Sequence, residues 1–272
     1  MASVYLERWI RAGGIKTHYI TSGNGEAVIL LHGAAAGFSA IHNWRNSMGP
    51  LAEAGFSIYA LEIVGFGLTD KPEDGNTFEA KVQHVKDFID VLCLDKVNLV
   101  GNSMGGRISL EVALDWPERV RRMVLMGSGG IRMEPTPSFR QLFSYTPSKE
   151  KMKQIVESFC YDPSLVTDEM VELKYQMSLL PGAQEAYGAF MKKLSDREYI
   201  ARSYLGDKLP NIKTPTLLIW GKQDRILPLE QGEKMASLLP NARLEIIDRC
   251  GHWVEFEHSQ MFNRMVSDFF KS

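Results

Sequence analysis

The chain has 272 residues, of which 44% are hydrophobic and 24% charged, with a formal net charge of -2 at pH 7. That length suits one large domain with an insertion, the composition is that of a globular protein with ample core material, and the balanced charge with no basic stripe or arm argues against a nucleic-acid partner. The opening "MASVYLERWI" has no basic segment leading into an apolar run, and no apolar run could span a bilayer, so a soluble cytoplasmic protein that avoids membranes is expected.

In chain order, "SVYLERWI" and "KTHYITSG" read as two strands joined at Gly13-Gly14. "AVILLHG" (Ala27–Gly33) is a continuous apolar run stopped by His-Gly, the mark of a strand buried on both faces. "NWRNSMGPLAEAG" then reads as one helix ending at Gly55, and "FSIYALEIVGFG" as a second buried strand with a glycine-rich exit. "FEAKVQHVKDFIDVL" has helical spacing, "KVNLVG" is a third buried strand, "SMGGRISLEVALDWP" a helix stopped by Pro117, and "VRRMVLMGSGG" a further strand. Strands alternating with helices argue for an α/β fold with a parallel sheet covered on both faces.

The alternation breaks at Gly129-Gly130 and resumes at "TPTLLIWG" (Thr214–Gly221). Between them lie helical patterns rich in Met, Phe, Tyr and Leu, and long insertions of this kind commonly serve as lids. The expected division is a core of residues 1–129 and 206–272 with a helical lid at 130–205. A helix (Leu229–Leu239), a strand "ARLEIID" and a terminal helix from Val254 complete the chain.

"GNSMG" (Gly101–Gly105) fits G-x-S-x-G, a strained strand-to-helix turn that lifts a serine hydroxyl above the sheet edge. The motif alone is weak, but here an apolar strand precedes it and a helix follows. The bland alternative is that Ser103 only caps the helix. A nucleophilic serine needs a base, and the base needs an orienting acid. Of six histidines, His252 in "CGHWVEFEH" lies in a loop after the last strand, at the same carboxyl edge as the elbow. His18, His32, His42, His84 and His258 read as surface or core residues. Asp224 in "GKQDRILP" also follows a strand, though alone it would be an ordinary turn residue. The oxyanion of such a reaction needs two backbone donors. The N–H of Met104 and that of Ala34, in "HGAAAG", are the candidates.

Cys93, Cys160 and Cys250 form neither a disulfide framework nor a zinc site. Cys93 reads as a buried small hydrophobe and Cys250 as structural. No cluster has metal-ligand spacing, so neither metal nor cofactor is expected.

With these residues in place, the chain resembles the α/β-hydrolases, and more narrowly the meta-cleavage product hydrolases, bacterial enzymes that cut a carbon–carbon bond in ring-fission products of aromatic catabolism. The resemblance rests on "GNSMGG", "LLHG" followed by small residues and "NWRN", "LMGSGG", "WGKQDRILPLEQG" and "CGHWVEFEHSQMFNRMVSDFF". It covers nearly the full length and is weakest in the lid. It implies a mostly parallel sheet with an inserted helical lid, a Ser103-Asp224-His252 triad, and Asn43, Asn102 and Trp253 in the polar part of the pocket. The family's lid supplies an arginine to the substrate's carboxylate and enol end. The matching segment here, "DEMVELKYQM", offers Lys174, which lacks arginine's planar fork of donors. Lys174 lies beside an apolar stripe of Met170, Leu173, Met177 and Leu180, so its ammonium either enters a pocket or snorkels to water.

The implied substrate is a 2-hydroxy-6-oxo-hexa-2,4-dienoate. The alternative is a carboxylesterase acting on small apolar acyl esters through the same triad. A non-catalytic receptor on this fold would have a broken triad, and a dehalogenase would carry aspartate at the elbow. The partner is a small molecule, and a homo-oligomer is compatible with the sequence.

Overall fold

The apolar runs become the inner strands of one eight-stranded sheet. The structure, a computed structural model, describes residues 5–272, so the Ser3–Val4 part of the expected first strand lies outside the described residues. The strands are β1 (Leu6–Ala12), β2 (Ile15–Ser22), β3 (Glu26–Leu31), β4 (Phe56–Leu61), β5 (Val97–Asn102), β6 (Val120–Met126), β7 (Thr216–Gly221) and β8 (Ala242–Ile247). Their spatial order is β1-β2-β4-β3-β5-β6-β7-β8. From β3 to β8 all pairings are parallel, while β2 runs against both its neighbours.

Alternate residues of the inner strands feed two cores, because strand side chains point to opposite faces with period two. Ile29, Leu31, Leu99, Met123, Leu125 and Leu218 pack on one face. Val28, Leu30, Val100, Val124, Leu217 and Ile219 pack on the other. The covering helices of the core are α1 (Ala40–Trp44), α2 (Met48–Glu53), α3 (Phe78–Val91) and α4 (Met104–Asp115). Between β6 and β7 the chain makes a helical excursion, α5 (Pro137–Phe143), α6 (Lys149–Phe159), α7 (Asp168–Ser178), α8 (Ala183–Ser195) and α9 (Arg197–Arg202). The chain closes with α10 (Leu229–Leu238), α11 (Val254–Glu257) and α12 (Ser259–Lys271). Among the described residues no helix is long and apolar enough to cross a membrane.

Three local expectations are corrected. The single helix expected up to Gly55 is two helices, α1 and α2, separated at Arg45–Ser47. Pro50 explains the break, since inside a continuous helix its ring would strike the carbonyl four residues back, whereas it is tolerated in the first turn of α2. The terminal helix is likewise interrupted at His258 (φ -132°, ψ 47°). Cys93 is exposed and not buried: it sits just past α3 with φ 52°, in a turn that carries its side chain out of the core.

Candidate active site

β3 lies between β4 and β5, so the chain leaves it toward opposite sides of the sheet. Ligands of open α/β sheets bind at the carboxyl ends of strands where the order reverses in this way. The loops after β3 and β5 meet there. Ser103 ends β5 and starts α4 with φ 53° and ψ -109°. A non-glycine residue held in such a region costs on the order of 1–3 kcal/mol and persists only where its surroundings over-determine it. Here Ser103 N–H donates to Met126 O (3.0 Å), while Ser103 O accepts from Arg107 and Gly129. The helix can lie this close because Gly105 has no side chain. A Cβ there would sit 2.1 Å from Leu31 O.

His252 and Asp224 come to the same edge from the loops after β8 and β7. His252 Nδ1 lies 2.7 Å from Asp224 Oδ2, and both side chains are completely withdrawn from solvent. The other carboxylate oxygen, Oδ1, accepts from Ile226 N (2.8 Å) and Leu227 N (2.9 Å), which fixes the carboxylate and leaves Oδ2 for the imidazole. Gly127, just past β6, makes room for the pair. A Cβ on it would be 2.8 Å from His252 Nδ1 and 3.2 Å from Asp224 Oδ2. His252 Nε2 is buried without a hydrogen-bond partner, so its acceptor position is free for a hydroxyl proton.

Sequence reasoning passed over Glu257. Its carboxylate accepts from Gly251 N (2.7 Å), directly before His252, and from Tyr161 N (2.7 Å) in the excursion. His252 N–H donates to Phe159 O (2.7 Å), and the Phe159 ring stacks on Trp253 at 4.8 Å. The histidine loop is thus fastened to the end of α6. Gly127 had a signal in the glycine cluster "GSGG", whereas Glu257 had none, because its short contacts are to backbone N–H groups.

Ser103 opens on a cavity of about 190 Å³ that Ala34 and Met104 also line. Met104 is the first residue of α4, so its N–H has no acceptor within the helix. The walls are mostly apolar, with Phe139, Leu142, Phe190, Met191, Ile200 and Leu227 from the excursion and the β7 loop. Arg107 also lines it, but is tied to Glu111 (Nε–Oε1 2.9 Å) and lies 3.7 Å over the Phe78 ring.

Asn43, Asn102, Lys174 and Trp253 do not line this cavity. Asn43 Nδ2 donates to Asn102 Oδ1 (3.4 Å), and Asn102 Nδ2 donates to Met126 O (3.3 Å). Asn43 Oδ1 and Trp253 Nε1 are buried with no partner. Lys174 does not snorkel. It is 2% exposed, with Nζ 4.2 Å from the Phe38 ring centre and 4.8 Å from that of Trp253. The buried face of α7 is Val171, Lys174 and Ser178, while Leu173 of the apolar stripe is exposed. Burial pushes the Lys174 ammonium down to about 7, against a smaller upward pull from Glu255. Burial likewise pushes the Glu255 carboxyl well above the usual carboxylate range.

The remaining histidines are accounted for by structure. His32 Nδ1–H donates to Gly33 O (2.8 Å) and Nε2 accepts from Ile63 N (3.2 Å), and burial lowers its pKa to about 4. His84 bridges Thr17 Oγ1 and Val64 N, and His18 lies 3.2 Å from Glu62. His42 meets Ser39 Oγ and His258 meets Arg249 O.

A family model described as the alpha/beta hydrolase fold matches residues 26–149 and 164–259. The chain is 39% identical over 265 residues to a 2-hydroxy-6-oxo-2,4-heptadienoate hydrolase of Pseudomonas putida, covering 97% of this chain and 96% of that protein. It is 35% identical to a 2-hydroxymuconate semialdehyde hydrolase of a Pseudomonas species, covering 97% and 93%. Among solved structures, a meta-cleavage product hydrolase from Pseudomonas fluorescens superposes with a TM-score of 0.92 at 37% identity, covering 97% of each chain. Strand order, the serine elbow and full-length similarity agree: the chain belongs to the α/β-hydrolase family and, within it, to the meta-cleavage product hydrolases.

Proposed function

We propose that this protein hydrolyses the C5–C6 bond of 2-hydroxy-6-oxo-hexa-2,4-dienoate-type ring-fission products, acting in the cytoplasm on a small-molecule substrate. Ser103, His252 and Asp224 form the triad. The 6-substituent enters the apolar cavity beside Ser103, and the carboxylate and 2-hydroxyl end is held by Lys174, Asn43, Asn102 and Trp253. Residues 130–205 act as the lid that admits substrate. The site first helps the dienol ketonise. His252 Nε2 then takes the Ser103 proton as Oγ attacks the C6 carbonyl, and the N–H groups of Ala34 and Met104 hold the oxyanion. Cleavage of C5–C6 releases a stabilised dienolate that is protonated on leaving, and water, deprotonated by His252, clears the acyl-enzyme.

One observation carries this reading over an esterase: Lys174 is a buried lysine beside the histidine loop. The Phe38 and Trp253 faces offset part of the cost of burying its ammonium. A substrate that brings a carboxylate, and gains negative charge as the bond breaks, gives that burial a use. A small apolar ester does not.

The test is turnover of a ring-fission dienoate and of p-nitrophenyl esters on one preparation. Lys174→Ala should lower dienoate turnover by about 10- to 1000-fold, the scale of one lost electrostatic contact, and change esterase activity only a few-fold, because only a contact stronger in the transition state alters the rate. Lys174→Arg should keep or raise dienoate turnover. With its pKa lowered to about 7 by burial, Lys174 is charged below that pH and neutral above it. The kcat/KM for the dienoate, which reports the free enzyme, should therefore fall as pH rises through about 7. That limb should vanish in Lys174→Arg, whose guanidinium stays charged. If Lys174→Ala leaves both activities unchanged, the esterase reading replaces this one.

A serine-directed organophosphonate should label the protein once, at Ser103. The Cys160 and Cys250 thiols are buried and burial raises their pKa values, so neither supplies a competing thiolate. A mass spectrum with the adduct on Cys250 would overturn the assignment of the nucleophile.

A further inference from the structure

The loop after β3, which carries Ala34, is gripped by the excursion from three sides. Phe38 N–H donates to Ala35 O (3.1 Å) and Gly37 has φ 73°, as at the third position of a type II turn. A Cβ on Gly37 would overlap the Lys174 carbonyl, so α7 lies directly on this turn. From α6, the Phe159 ring packs on Phe38 at 5.4 Å. From α8 comes Tyr187, whose side chain is buried. Its hydroxyl donates to Leu142 O in α5 (2.8 Å), and the Ala36 backbone N–H faces the same oxygen.

A phenylalanine would fill this place as well, so the hydroxyl needs a reason. One use is local: Leu142 belongs to the last turn of α5, whose carbonyls have no acceptor role left within the helix. The second use is the turn. Ala36 is buried, and among the described residues its N–H has no backbone acceptor. Buried backbone N–H groups are almost always paired, and the Tyr187 oxygen is the group that stands opposite this one. Burial raises the pKa of the phenol, which keeps it a neutral donor toward Leu142 while its oxygen accepts from Ala36.

We infer that Tyr187 is a positioning residue for the oxyanion hole: through Ala36 it holds the turn that sets the Ala34 N–H, two residues earlier in the chain. The inference rests on the proposed serine mechanism, in which Ala34 and Met104 hold the oxyanion. The two donors then depend on different parts of the molecule. The Met104 N–H is fixed by the elbow at the start of α4, whereas the turn next to Ala34 is held by the excursion. The hole is complete only with α8 seated, so closure over the substrate also readies the site for attack, as lids that complete a catalytic constellation do. Were Tyr187 only a cap for α5, its hydroxyl would matter to stability alone.

Two variants of the full chain test this. Tyr187→Phe keeps the ring and removes the hydroxyl, and Ala36→Pro removes the N–H at the turn position where proline is favoured. Each should lower kcat by about 10- to 100-fold, the scale of an oxyanion donor displaced rather than deleted, with KM moved only a few-fold. The loss should be the same for a dienoate and a p-nitrophenyl ester, since both pass through an oxyanion, in contrast to Lys174→Ala. The double variant should lose no more than either single one, because both changes break the same contact. Phenylboronic acid supplies an equilibrium readout: Ser103 Oγ bonds to boron as its proton passes to His252, and a boronate oxygen takes the oxyanion position. Its affinity should fall in parallel with kcat. A parent that forms no boronate adduct would overturn the serine mechanism and this inference with it. A parent that forms it while Tyr187→Phe binds it equally well, losses confined to KM or to melting temperature, or losses that multiply in the double variant would overturn the role of Tyr187 and leave the mechanism standing.

Discussion

Replacing Ser103 with alanine should lower turnover of a dienoate by at least ~10⁴-fold, because nucleophile, base and orienting acid act as a unit and the loss of one removes most of what the three supply together. The elbow itself should survive. Alanine at φ 53° is strained much as serine is, and the hydrogen bonds that hold the turn use the backbone N–H and C=O of residue 103. Melting temperature should therefore change little, and substrate should still bind, since the groups assigned to its carboxylate end are untouched. The measurement is single-turnover kinetics with an equilibrium binding titration on the same variant. Near-normal activity in a preparation free of parent enzyme would mean that another group attacks the carbonyl.

How far the sequence could be read depended on whether a residue's role is written into its neighbours. β3, β5 and β7 were legible because continuous apolar runs buried on both faces admit few other readings. Ser103 was legible because a sharp turn against a helix demands small residues on either side. Lys174 was not. The face that α7 buries is Val171, Lys174 and Ser178, which contains a single aliphatic residue, whereas the apolar stripe beside it is partly exposed. Periodicity follows hydrophobicity, so it points to the wrong face when a charged residue is buried for another reason. Glu257 was invisible in another way. Its carboxylate joins the backbone N–H groups of Gly251, Tyr161 and Asp162, six, 96 and 95 residues away, and backbone donors leave no mark in a sequence. Gly127 falls between. Its cluster was noticed, but the close approach of His252 and Asp224 that requires it appears only in three dimensions.

Asp224→Asn should cost about 10⁴-fold in turnover, and it separates the two things Asp224 does. One oxygen caps the turn by accepting from Ile226 and Leu227, and the other faces His252 Nδ1 at 2.7 Å. Asparagine can keep the cap, since its amide oxygen still accepts both N–H groups. Its amide nitrogen is then left facing Nδ1. Because that nitrogen can only donate, Nδ1 must accept, and the proton of neutral imidazole moves to Nε2. Nε2–H cannot take a proton from Ser103, so the base is lost while the geometry is kept, an effect on the scale given above for the wrong tautomer. Asp224→Ala removes the cap as well. It leaves two buried N–H groups unpaired and should cost about 1–3 kcal/mol of stability for each, where Asp224→Asn costs little. Kinetics and thermal melts on the two variants therefore read the two roles independently. An Asp224→Asn enzyme that keeps more than about a tenth of its turnover, far from the tautomer scale, would show that Asp224 only caps the turn and that His252 is oriented by something else.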